Sequence, residues 1–507
     1  MNILKDSISY IIDESTNIAS LVGCELKNNS IFIPRSIEYD SREFIITSIS
    51  DCAFKNSMNI KSIQFPPDSE LQIIGKEAFS SSTIESFTIP PHLTKICERA
   101  FYLCQELKSI EMMSDSKLQT IEKDAFSKSN IESLSIPSSI SDLQEGWCNQ
   151  TWKLQSILII PSSESNIISF ENKFILGKSS QKSDIFDVLL FARRDIKAAI
   201  VPPSVKRIAS FAFSGSSIES ITIPSSVSQF DVGWCGYTEK LSEVKITPSD
   251  ETSIIYFEDK LILGKTDSNS DVYDVLLFAR RDVKTVKIPS FIKRISSYAF
   301  GQSTIEKVSI PTETTHIEEG SFILCEKLLN VEIPSNSKLK FIGNNAFAYS
   351  SIECFTIPLH LTEIEECTFF YCVHLKHVEI PRESELRIIG KEAFSYSAIE
   401  KVSFSRHVTM ICDSAFYTCQ QLKKIDFPDD SELQIIEKEA FAFSLFESFS
   451  VPPRVTQIGK NAFFGCCELQ FIEIPENAEF QMIEKSKFGS CLCSTVFIQQ
   501  NKENILI

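Results

Sequence analysis

A repeat of fixed period constrains this chain more than any other feature. In residues 71–117, LQIIGKEAFSSSTIESFTIPPH is followed by LTKICERAFYLCQELKSIEMMSDSK, and both halves carry an Ile, an Ala-Phe pair and a strand-like run. From residue 292 to residue 480, the repeats begin at steps of 22 and 25 residues in strict alternation. A period of this size is typical of a solenoid in which successive coils stack on one another.

Two features of each repeat predict its local structure. The run before most Ile-Pro dipeptides spaces apolar residues as LxxLxL, as at Ile84, Phe87 and Ile89, which predicts a strand with one buried face. The Pro that follows cannot donate to a ladder and ends the strand. The Phe of the Ala-Phe pair predicts a buried stack of rings at Phe79, Phe101, Phe126, Phe213, Phe300, Phe322, Phe347, Phe369, Phe394, Phe416, Phe441 and Phe463. The predicted fold class is a mainly β solenoid with parallel ladder strands.

Departures from the repeat predict the domain organisation. Residues 1–45 do not fit it and are interpreted as an N-terminal cap, because the open end of a solenoid must be closed. The solenoid itself is expected over residues 46–500, and residues 480–507 are interpreted as a degraded last repeat and C-terminal cap. Two longer units, 140–204 and 227–291, are copies of each other. Each contains FxxKxILGK followed by DVLLFARRD, which predicts a β-hairpin with a polar loop.

The pattern IPxxVxxIxxxAFxxCxxLxxIxIP resembles the BspA-like leucine-rich repeat family. Good local matches are VPPRVTQIGKNAFFGCCELQFIEIP at 451–475 and IPLHLTEIEECTFFYCVHLKHVEIP at 357–381, and the resemblance covers essentially the whole chain. Members of this family are known mainly as surface antigens and adhesins of bacteria and anaerobic protozoa. The resemblance therefore implies a non-enzymatic cell-surface protein that binds host-cell or extracellular-matrix proteins.

Charge and hydropathy limit the classes of partner and the location. The net charge is −17, from 50 basic and 67 acidic residues, which argues against nucleic acid or an anionic membrane as the main partner. No run of 18 apolar residues is present, and the first residues lack a basic segment followed by an apolar run. We therefore expect no membrane insertion and a cytoplasmic location by default. The alternative function is an intracellular protein–protein interaction scaffold of the same fold.

The cysteines and the motifs bear on redox and catalytic chemistry. Cys325, Cys372, Cys419 and Cys466 recur every 47 residues, so neighbours in this column would lie about 9–10 Å apart. A disulfide needs Cα atoms within about 7 Å, and we expect most of the 16 cysteines to be free. The sequence contains no CxxC, HExxH, GxSxG or phosphate-binding glycine loop. We therefore expect no metal, no cofactor and no enzyme activity.

Two charged columns along the ladder strands are candidates for interactions. The first alternates in sign and predicts ion pairs between neighbouring strands, at Glu85, Lys108 and Glu132 and again at Glu353, Lys376, Glu400, Lys423 and Glu447. The second alternates acids with hydroxyls and offers its acids no partner within the column. Its acids form a one-signed row, at Glu332, Glu379, Asp426 and Glu473. Such a row favours a basic protein partner, whereas a merely solvated face is the alternative.

Two arginine pairs occupy the same point in the two predicted hairpins. They are Arg193 with Arg194 and Arg280 with Arg281. Contact with an acidic partner is one interpretation. Pairing with Asp195, Asp282 or their neighbours is the other.

Overall fold

The computed structural model describes residues 1–24, 29–112, 115–162, 165–180, 182–267, 269–474, 497–500 and 503–506. Over these residues the chain consists of β-strands and turns, without helix. It forms two compact units, Met1–Thr252 (unit 1) and Ser253–Ile507 (unit 2). Each unit is a β-solenoid built from parallel ladders, so the predicted fold class is confirmed.

Unit 1 contains 23 described strands. In chain order they are β1 (Asn2–Lys5), β2 (Ile8–Asp13), β3 (Ile18–Cys24), β4 (Ser30–Phe32), β5 (Ser36–Tyr39), β6 (Arg42–Ile49), β7 (Ser62–Gln64), β8 (Ile73–Ile74), β9 (Ser86–Ile89), β10 (Lys95–Ile96), β11 (Ser109–Met112), β12 (Thr120–Ile121), β13 (Ser133–Pro137), β14 (Asp142–Leu143), β15 (Ser156–Ile160), β16 (Ile167–Phe170), β17 (Phe174–Gly177), β18 (Val188–Ala192), β19 (Ala198–Ile200), β20 (Arg207–Ile208), β21 (Ser220–Pro224), β22 (Gln229–Phe230) and β23 (Glu243–Thr247).

The strands of unit 2 continue the numbering. They are β24 (Ile255–Phe257), β25 (Leu261–Gly264), β26 (Val275–Ala279), β27 (Thr285–Lys287), β28 (Arg294–Ile295), β29 (Lys307–Ser309), β30 (His316–Ile317), β31 (Asn330–Glu332), β32 (Phe341–Ile342), β33 (Cys354–Thr356), β34 (Glu363–Ile364), β35 (His377–Glu379), β36 (Ile388–Ile389), β37 (Lys401–Ser403), β38 (Met410–Ile411), β39 (Lys424–Asp426), β40 (Ile435–Ile436), β41 (Ser448–Ser450), β42 (Gln457–Ile458), β43 (Phe471–Ile474), β44 (Phe497–Gln500) and β45 (Glu503–Leu506).

A regular coil contributes one strand to each of two parallel sheets. In unit 1 the ladder strands follow the order β15-β13-β11-β9-β7-β4, and in unit 2 one ladder sheet follows β33-β35-β37-β39. The second sheet consists of two-residue strands, such as β34-β36-β38-β40-β42 in unit 2. These short strands were not predicted, because two residues cannot display the period of two that identifies a strand in a sequence.

The structure tests the predictions for the irregular segments to different extents. Strands β1, β2 and β3 pair antiparallel at the start of unit 1, and the interpretation of residues 1–45 as a cap stays a prediction. The predicted last repeat and cap at 480–507 lies outside the described residues except for β44 and β45. The hairpin prediction is confirmed, since β17 pairs antiparallel with β18 and β25 with β26. Each hairpin has an additional strand, β16 or β24, that the sequence did not predict.

The predicted Phe stack forms the interior of both units. All twelve Phe side chains are buried. The ring centroids of Phe347 and Phe369 lie 5.6 Å apart, with ring planes 5° from parallel. Those of Phe369 and Phe394 lie 5.2 Å apart at 2°. Successive coils therefore contact one another through offset, nearly parallel rings.

The Ala-Phe turns also bond the coils to one another through the backbone. The N–H of Phe79 donates to the Ala100 carbonyl of the next coil at 2.8 Å, and the N–H of Ser81 donates to the Tyr102 carbonyl at 2.8 Å. Ser81 has a left-handed φ of 57°, which aims its N–H along the solenoid. Because a left-handed residue other than glycine is unfavourable in isolation, the hydrogen bond it permits helps to offset that cost.

The thiols of the cysteine column donate hydrogen bonds to backbone carbonyls inside the turns. The Cys372 Sγ donates to the Phe347 carbonyl at 3.1 Å, and burial raises the pKa of this thiol to about 12. Four further thiols make the same bond, at Cys104, Cys325, Cys419 and Cys466. Cys491 and Cys493 lie outside the described residues, and the other fourteen cysteines form no disulfide with one another.

The Phe stack generates a stability prediction. Replacing Phe369 by Ala removes a ring that contacts Phe347 and Phe394 and leaves a cavity, so the free energy of unfolding should fall by about 3–5 kcal/mol. The control is Tyr371→Ala, two residues away and exposed, which should change it by less than about 1 kcal/mol. Urea unfolding followed by circular dichroism measures both. Equal small effects would show that the stack does not support unit 2.

Candidate partner-binding surfaces

The ladder strands of unit 2 present two outward side chains each. In β29, for example, Val308 points inward and the flanking Lys307 and Ser309 are exposed, a pattern repeated in most of the following ladder strands. We call the outward side of β29, β31, β33, β35, β37, β39, β41 and β43 the ladder face. Within the paired sets β29-β31, β33-β35-β37-β39 and β41-β43, parallel pairing in register places outward residues beside their equivalents in the next coil.

Two acids of the predicted row are ion-paired. The Lys307 Nζ lies 2.5 Å from a Glu332 carboxylate oxygen. Asp426 contacts the Nζ atoms of Lys401 and Lys424 at 2.9 and 3.1 Å. Burial raises the pKa of Asp426 and the hydrogen bonds from the two lysines lower it, and the net change is downward. The charges of Glu332 and Asp426 are therefore largely compensated within the chain.

The other two acids of the row have no ion pair among the described residues. The Thr356 hydroxyl donates to a Glu379 carboxylate oxygen at 3.3 Å, and the Ser450 hydroxyl donates to Glu473 at 2.7 Å. The expectation that the acids lack a partner within their column is therefore wrong, because the neighbouring hydroxyls hydrogen-bond to them. A hydroxyl adds no charge, so Glu379 and Glu473 keep their negative charge on an exposed surface.

In the alternating column, Glu85 forms an ion pair with Lys61 of the preceding coil at 2.7 Å, whereas Lys108, Glu132 and the predicted residues of unit 2 form none among the described residues. Within the described chain, Glu353, Lys376, Glu400, Lys423 and Glu447 make no ion pair. Neighbours in this column are joined through the backbone instead, as where the Lys376 N–H donates to the Glu353 carbonyl at 2.9 Å. Long exposed side chains gain little from pairing in water, and this explains why their positions do not follow their charges.

Two grooves lie on the ladder face, one on each side of Asp426. One has a volume of about 1030 Å³ and is lined by Ser403, Phe404, Arg406 and Phe427, among others. The other has a volume of about 550 Å³ and includes Phe427 and Glu473. The Phe404 and Phe427 rings stack with centroids 4.9 Å apart. Phe404 is buried and Phe427 is partly exposed, so the grooves present the Phe427 ring among charged side chains such as Arg406 and Asp426.

The first arginine of each predicted pair lies at the surface beside an aspartate. Arg193 Nη2 is 2.6 Å from an Asp195 oxygen, and Arg280 Nη2 is 2.6 Å from an Asp282 oxygen. Both guanidinium groups also have a second bond to the same carboxylate, through Nε at 3.0 Å. The structure thus forms the aspartate pairs that the sequence left as the alternative for these two residues.

The second arginine of each pair is buried, which contradicts its choice as a partner-binding residue. Arg194 and Arg281 are each 1% exposed. Arg194 donates to the Ala212 carbonyl at 2.9 Å and to the Cys148 carbonyl at 3.1 Å, and Arg281 donates to the Ala299 carbonyl at 2.8 Å. Burial lowers the pKa of Arg194. A partner at the surface cannot reach these guanidinium groups.

An unusual turn explains the burial of Arg194. In the 140–204 unit, Trp147-Cys148 replaces the Ala-Phe pair, so a small thiol occupies the position of the large ring. The Arg194 guanidinium lies 3.6 Å from the Cys148 Sγ and 4.3 Å above the centre of the Phe191 ring. The arginine side chain thus fills volume beside Cys148. The Trp-Cys pair, which departs from the repeat, is the sequence signal that could have indicated this site.

The described residues include no group of three or more His, Cys, Asp or Glu side chains placed to hold a metal ion. None of the described segments is a helix with the length and hydropathy to cross a membrane. A cleft of about 390 Å³ lies in unit 1 between β14 and the hairpin strands, and its lining includes Trp147, Lys178 and the ion pair of Arg207 with Asp231. The sequence did not predict this cleft.

The repeating coil with its two parallel sheets defines the class of protein as a leucine-rich repeat solenoid. The family described as BspA type leucine rich repeat region matches residues 27–174, 183–262, 274–376, 340–441 and 387–506. The chain belongs to this family, as the resemblance predicted. Leucine-rich repeats of this kind generally serve protein–protein contact rather than catalysis.

Several solved structures are similar to this chain at low sequence identity. A leucine-rich repeat protein from Bacteroides ovatus is 18% identical, covering 95% of this chain and 100% of its own, with a TM-score of 0.36. A leucine rich cell surface protein from Faecalibacterium prausnitzii is 19% identical, covering 97% and 92%, with a TM-score of 0.38. The pneumococcal vaccine antigen PcpA is 16% identical, covering 94% of each chain, with a TM-score of 0.33. A search among curated proteins gives no match.

The adjacent arginines of unit 1 give a matched pair of variants. Arg194→Met removes the donors to buried carbonyls, each of which costs about 1–3 kcal/mol when left unsatisfied, so unfolding should become easier by about 3 kcal/mol or more. Arg193→Met breaks a surface ion pair with Asp195 and one hydrogen bond to the Asn172 carbonyl, and it should cost less, about 1 kcal/mol. All 3 tryptophans lie in unit 1, so their fluorescence during urea unfolding reports on this unit. A larger loss from Arg193→Met would contradict the assignment.

Proposed function

We propose that this chain is a non-enzymatic binding protein whose ladder face in unit 2 contacts a basic protein partner. The observation that carries the proposal is the pair of exposed carboxylates, Glu379 and Glu473, that no lysine or arginine of the described chain neutralises. They lie four coils apart, or about 19 Å at the usual strand spacing, with the ion-paired Asp426 between them. A partner with spaced Lys or Arg side chains can supply the missing charges.

The grooves beside Asp426 supply the apolar part of the contact. Charged groups at the rim of an interface mainly set the rate and specificity of association, whereas buried aromatic contacts contribute most of the affinity. The partly exposed ring of Phe427, which stacks on the buried ring of Phe404, offers such a contact between the two free carboxylates. We therefore propose that the partner inserts an apolar side chain there and places basic side chains on either side.

The family resemblance supports an adhesin-like role with a host-cell or extracellular-matrix protein as the partner. The alternative, an intracellular scaffold of the same fold, uses the same face but meets a different partner. Labelling intact cells that express the full chain with a membrane-impermeant amine reagent separates the two. Labelling before lysis supports surface display. Labelling only after lysis supports the scaffold and rules out the adhesin role.

The binding prediction compares the free acids with the paired ones. Glu379→Gln with Glu473→Gln removes uncompensated charge and should lower the association rate constant several-fold at low salt, with the difference shrinking as salt is added. Glu332→Gln with Asp426→Asn removes acids that lysines already neutralise, so it should have the smaller effect. Surface plasmon resonance against a panel of purified extracellular-matrix proteins of differing basicity measures both rates.

Three results would count against the proposal. Binding to none of the panel proteins would oppose the adhesin role. A larger effect of the Glu332 and Asp426 variant would place the wrong acids at the interface. An unchanged rate for the Glu379 and Glu473 variant would move the site away from the ladder face, and Arg193 and Arg280 of the hairpins would be tested next.

A further inference from the structure

Aromatic side chains also line the turns of unit 2, outside the Phe stack. They follow the core residue of successive coils by one or two positions, and we call them the aromatic strip: Tyr349, Phe370, Tyr371, Tyr396, Tyr417, Phe443 and Phe464. From Tyr349 through Tyr371, Tyr396, Tyr417 and Phe443 to Phe464, consecutive ring centroids lie between 5.1 and 5.7 Å apart. The strip is therefore continuous over six coils.

The aromatic strip is not needed to fill the core. Tyr349, Tyr371 and Tyr396 are 41%, 46% and 38% exposed, while the Phe ring beneath each of them is already buried. Their hydroxyl groups make no hydrogen bond within the described residues. Contiguous exposed aromatic side chains on a folded protein commonly mark an interaction site, because such surface is costly to leave in water.

In unit 1, two cationic side chains lie over the aromatic ring at this position of the turn. Tyr102 follows its core Phe directly, and the Arg99 Cζ and the Lys128 Nζ each lie 5.5 Å from the centre of its ring. The corresponding ring in unit 2 is Phe370. Cys367 takes the place of Arg99, and Tyr396 takes the place of Lys128. Within the described part of the chain, no Lys or Arg lies over a ring of the aromatic strip.

The charges beside the aromatic strip favour a cation. The three residues before each Ala-Phe or equivalent pair are 343–345, 365–367, 390–392, 412–414, 437–439 and 459–461. They contain six acids, Glu365, Glu366, Glu392, Asp413, Glu437 and Glu439, and three lysines, Lys391, Lys438 and Lys460. Two of these lysines are held by acids of the same border, Lys391 by Glu366 at 3.2 Å and Lys438 by Glu439 at 3.3 Å. An excess of negative charge therefore remains.

We propose that the aromatic strip binds a basic segment of a protein partner, whose arginine and lysine side chains stack on its rings and pair with the bordering carboxylates. The partner supplies to unit 2 the cations that Arg99 and Lys128 supply to Tyr102 within unit 1. Arginine fits better than lysine, because its planar guanidinium stacks on an aromatic face and hydrogen-bonds a carboxylate at the same time. This site uses the turns rather than the ladder strands, so it does not depend on the function proposed for the ladder face.

A designed peptide provides the probe. In the polyproline II conformation, (Arg-Pro-Pro)4 places one arginine every ~9.3 Å along one side, close to the ~9.6 Å that two coils span. Fluorescence anisotropy of the labelled peptide with the full chain at low salt should show binding. (Lys-Pro-Pro)4 should bind more weakly, and (Glu-Pro-Pro)4 should not bind. Binding of all three alike, or of none, would overturn the proposal.

Variants of the chain then locate the site. Tyr371→Ala with Tyr396→Ala should weaken binding of the arginine peptide about tenfold, whereas Tyr371→Phe with Tyr396→Phe keeps both rings and should bind within about twofold of the original. Cys367→Arg with Tyr396→Lys places the unit 1 cations over Phe370 and should weaken binding without removing core volume. This variant decides the matter if the double alanine variant fails to fold.

The ladder-face variant separates the two proposed sites. Glu379→Gln with Glu473→Gln should leave binding of the arginine peptide unchanged, whatever it does to a protein partner. If that variant alone loses the peptide, or if the variant carrying the added cations binds as the original does, the aromatic strip is not the site. Direct binding of a neutral oligosaccharide such as cellohexaose, with no binding of the arginine peptide, would assign the strip to carbohydrate and overturn the proposal.

Discussion

The stacking of one coil on the next through the Ala-Phe turn is the interaction on which both units depend. A coil of 22 or 25 residues is too short to bury its own apolar residues, so its Phe must be covered by its neighbours. The nearly parallel rings at Phe347, Phe369 and Phe394 provide that cover. The turn amides bond to the next coil at the same place, so packing and hydrogen bonding both fix the register between coils.

Because the register between coils is fixed, residues that recur at one position of the coil form a continuous surface. A side chain that recurs at one outward position becomes a row, because its equivalents stand side by side in successive coils. The acids of the ladder face and the aromatic strip both arise in this way, from different positions of the same coil. A change in the turn can also remove a residue from the surface. Where Trp147-Cys148 replaces the Ala-Phe pair, the Arg194 side chain is buried and cannot contact a partner. The sequence of the turn thus influences which residues are available for recognition.

The periodic part of the structure was predictable from the sequence, and the part set by local packing was not. The ladder strands, the twelve core Phe residues and the two paired strands of each hairpin follow from spacing alone. The burial of Arg194 depends on the volume beside Cys148, which no spacing reveals. The partners of Glu332 and Asp426 come from a neighbouring column, so reading one column at a time missed them. The residues of the aromatic strip can be found in the sequence, but the contact between their rings becomes clear only when the turns are aligned coil by coil.

Hydrogen exchange in the native protein tests the stacked turn most directly. The amides of Phe369, Phe394 and Phe416 donate to carbonyls of the next coil, each at 2.8 Å, and should exchange as slowly as the amides of the ladder strands. The amides of Glu383 and Asp430 make no backbone hydrogen bond within the described residues and should exchange rapidly. If the three Phe amides exchange as fast as these two, the turns are ordinary surface loops, and neither row of side chains is held in register.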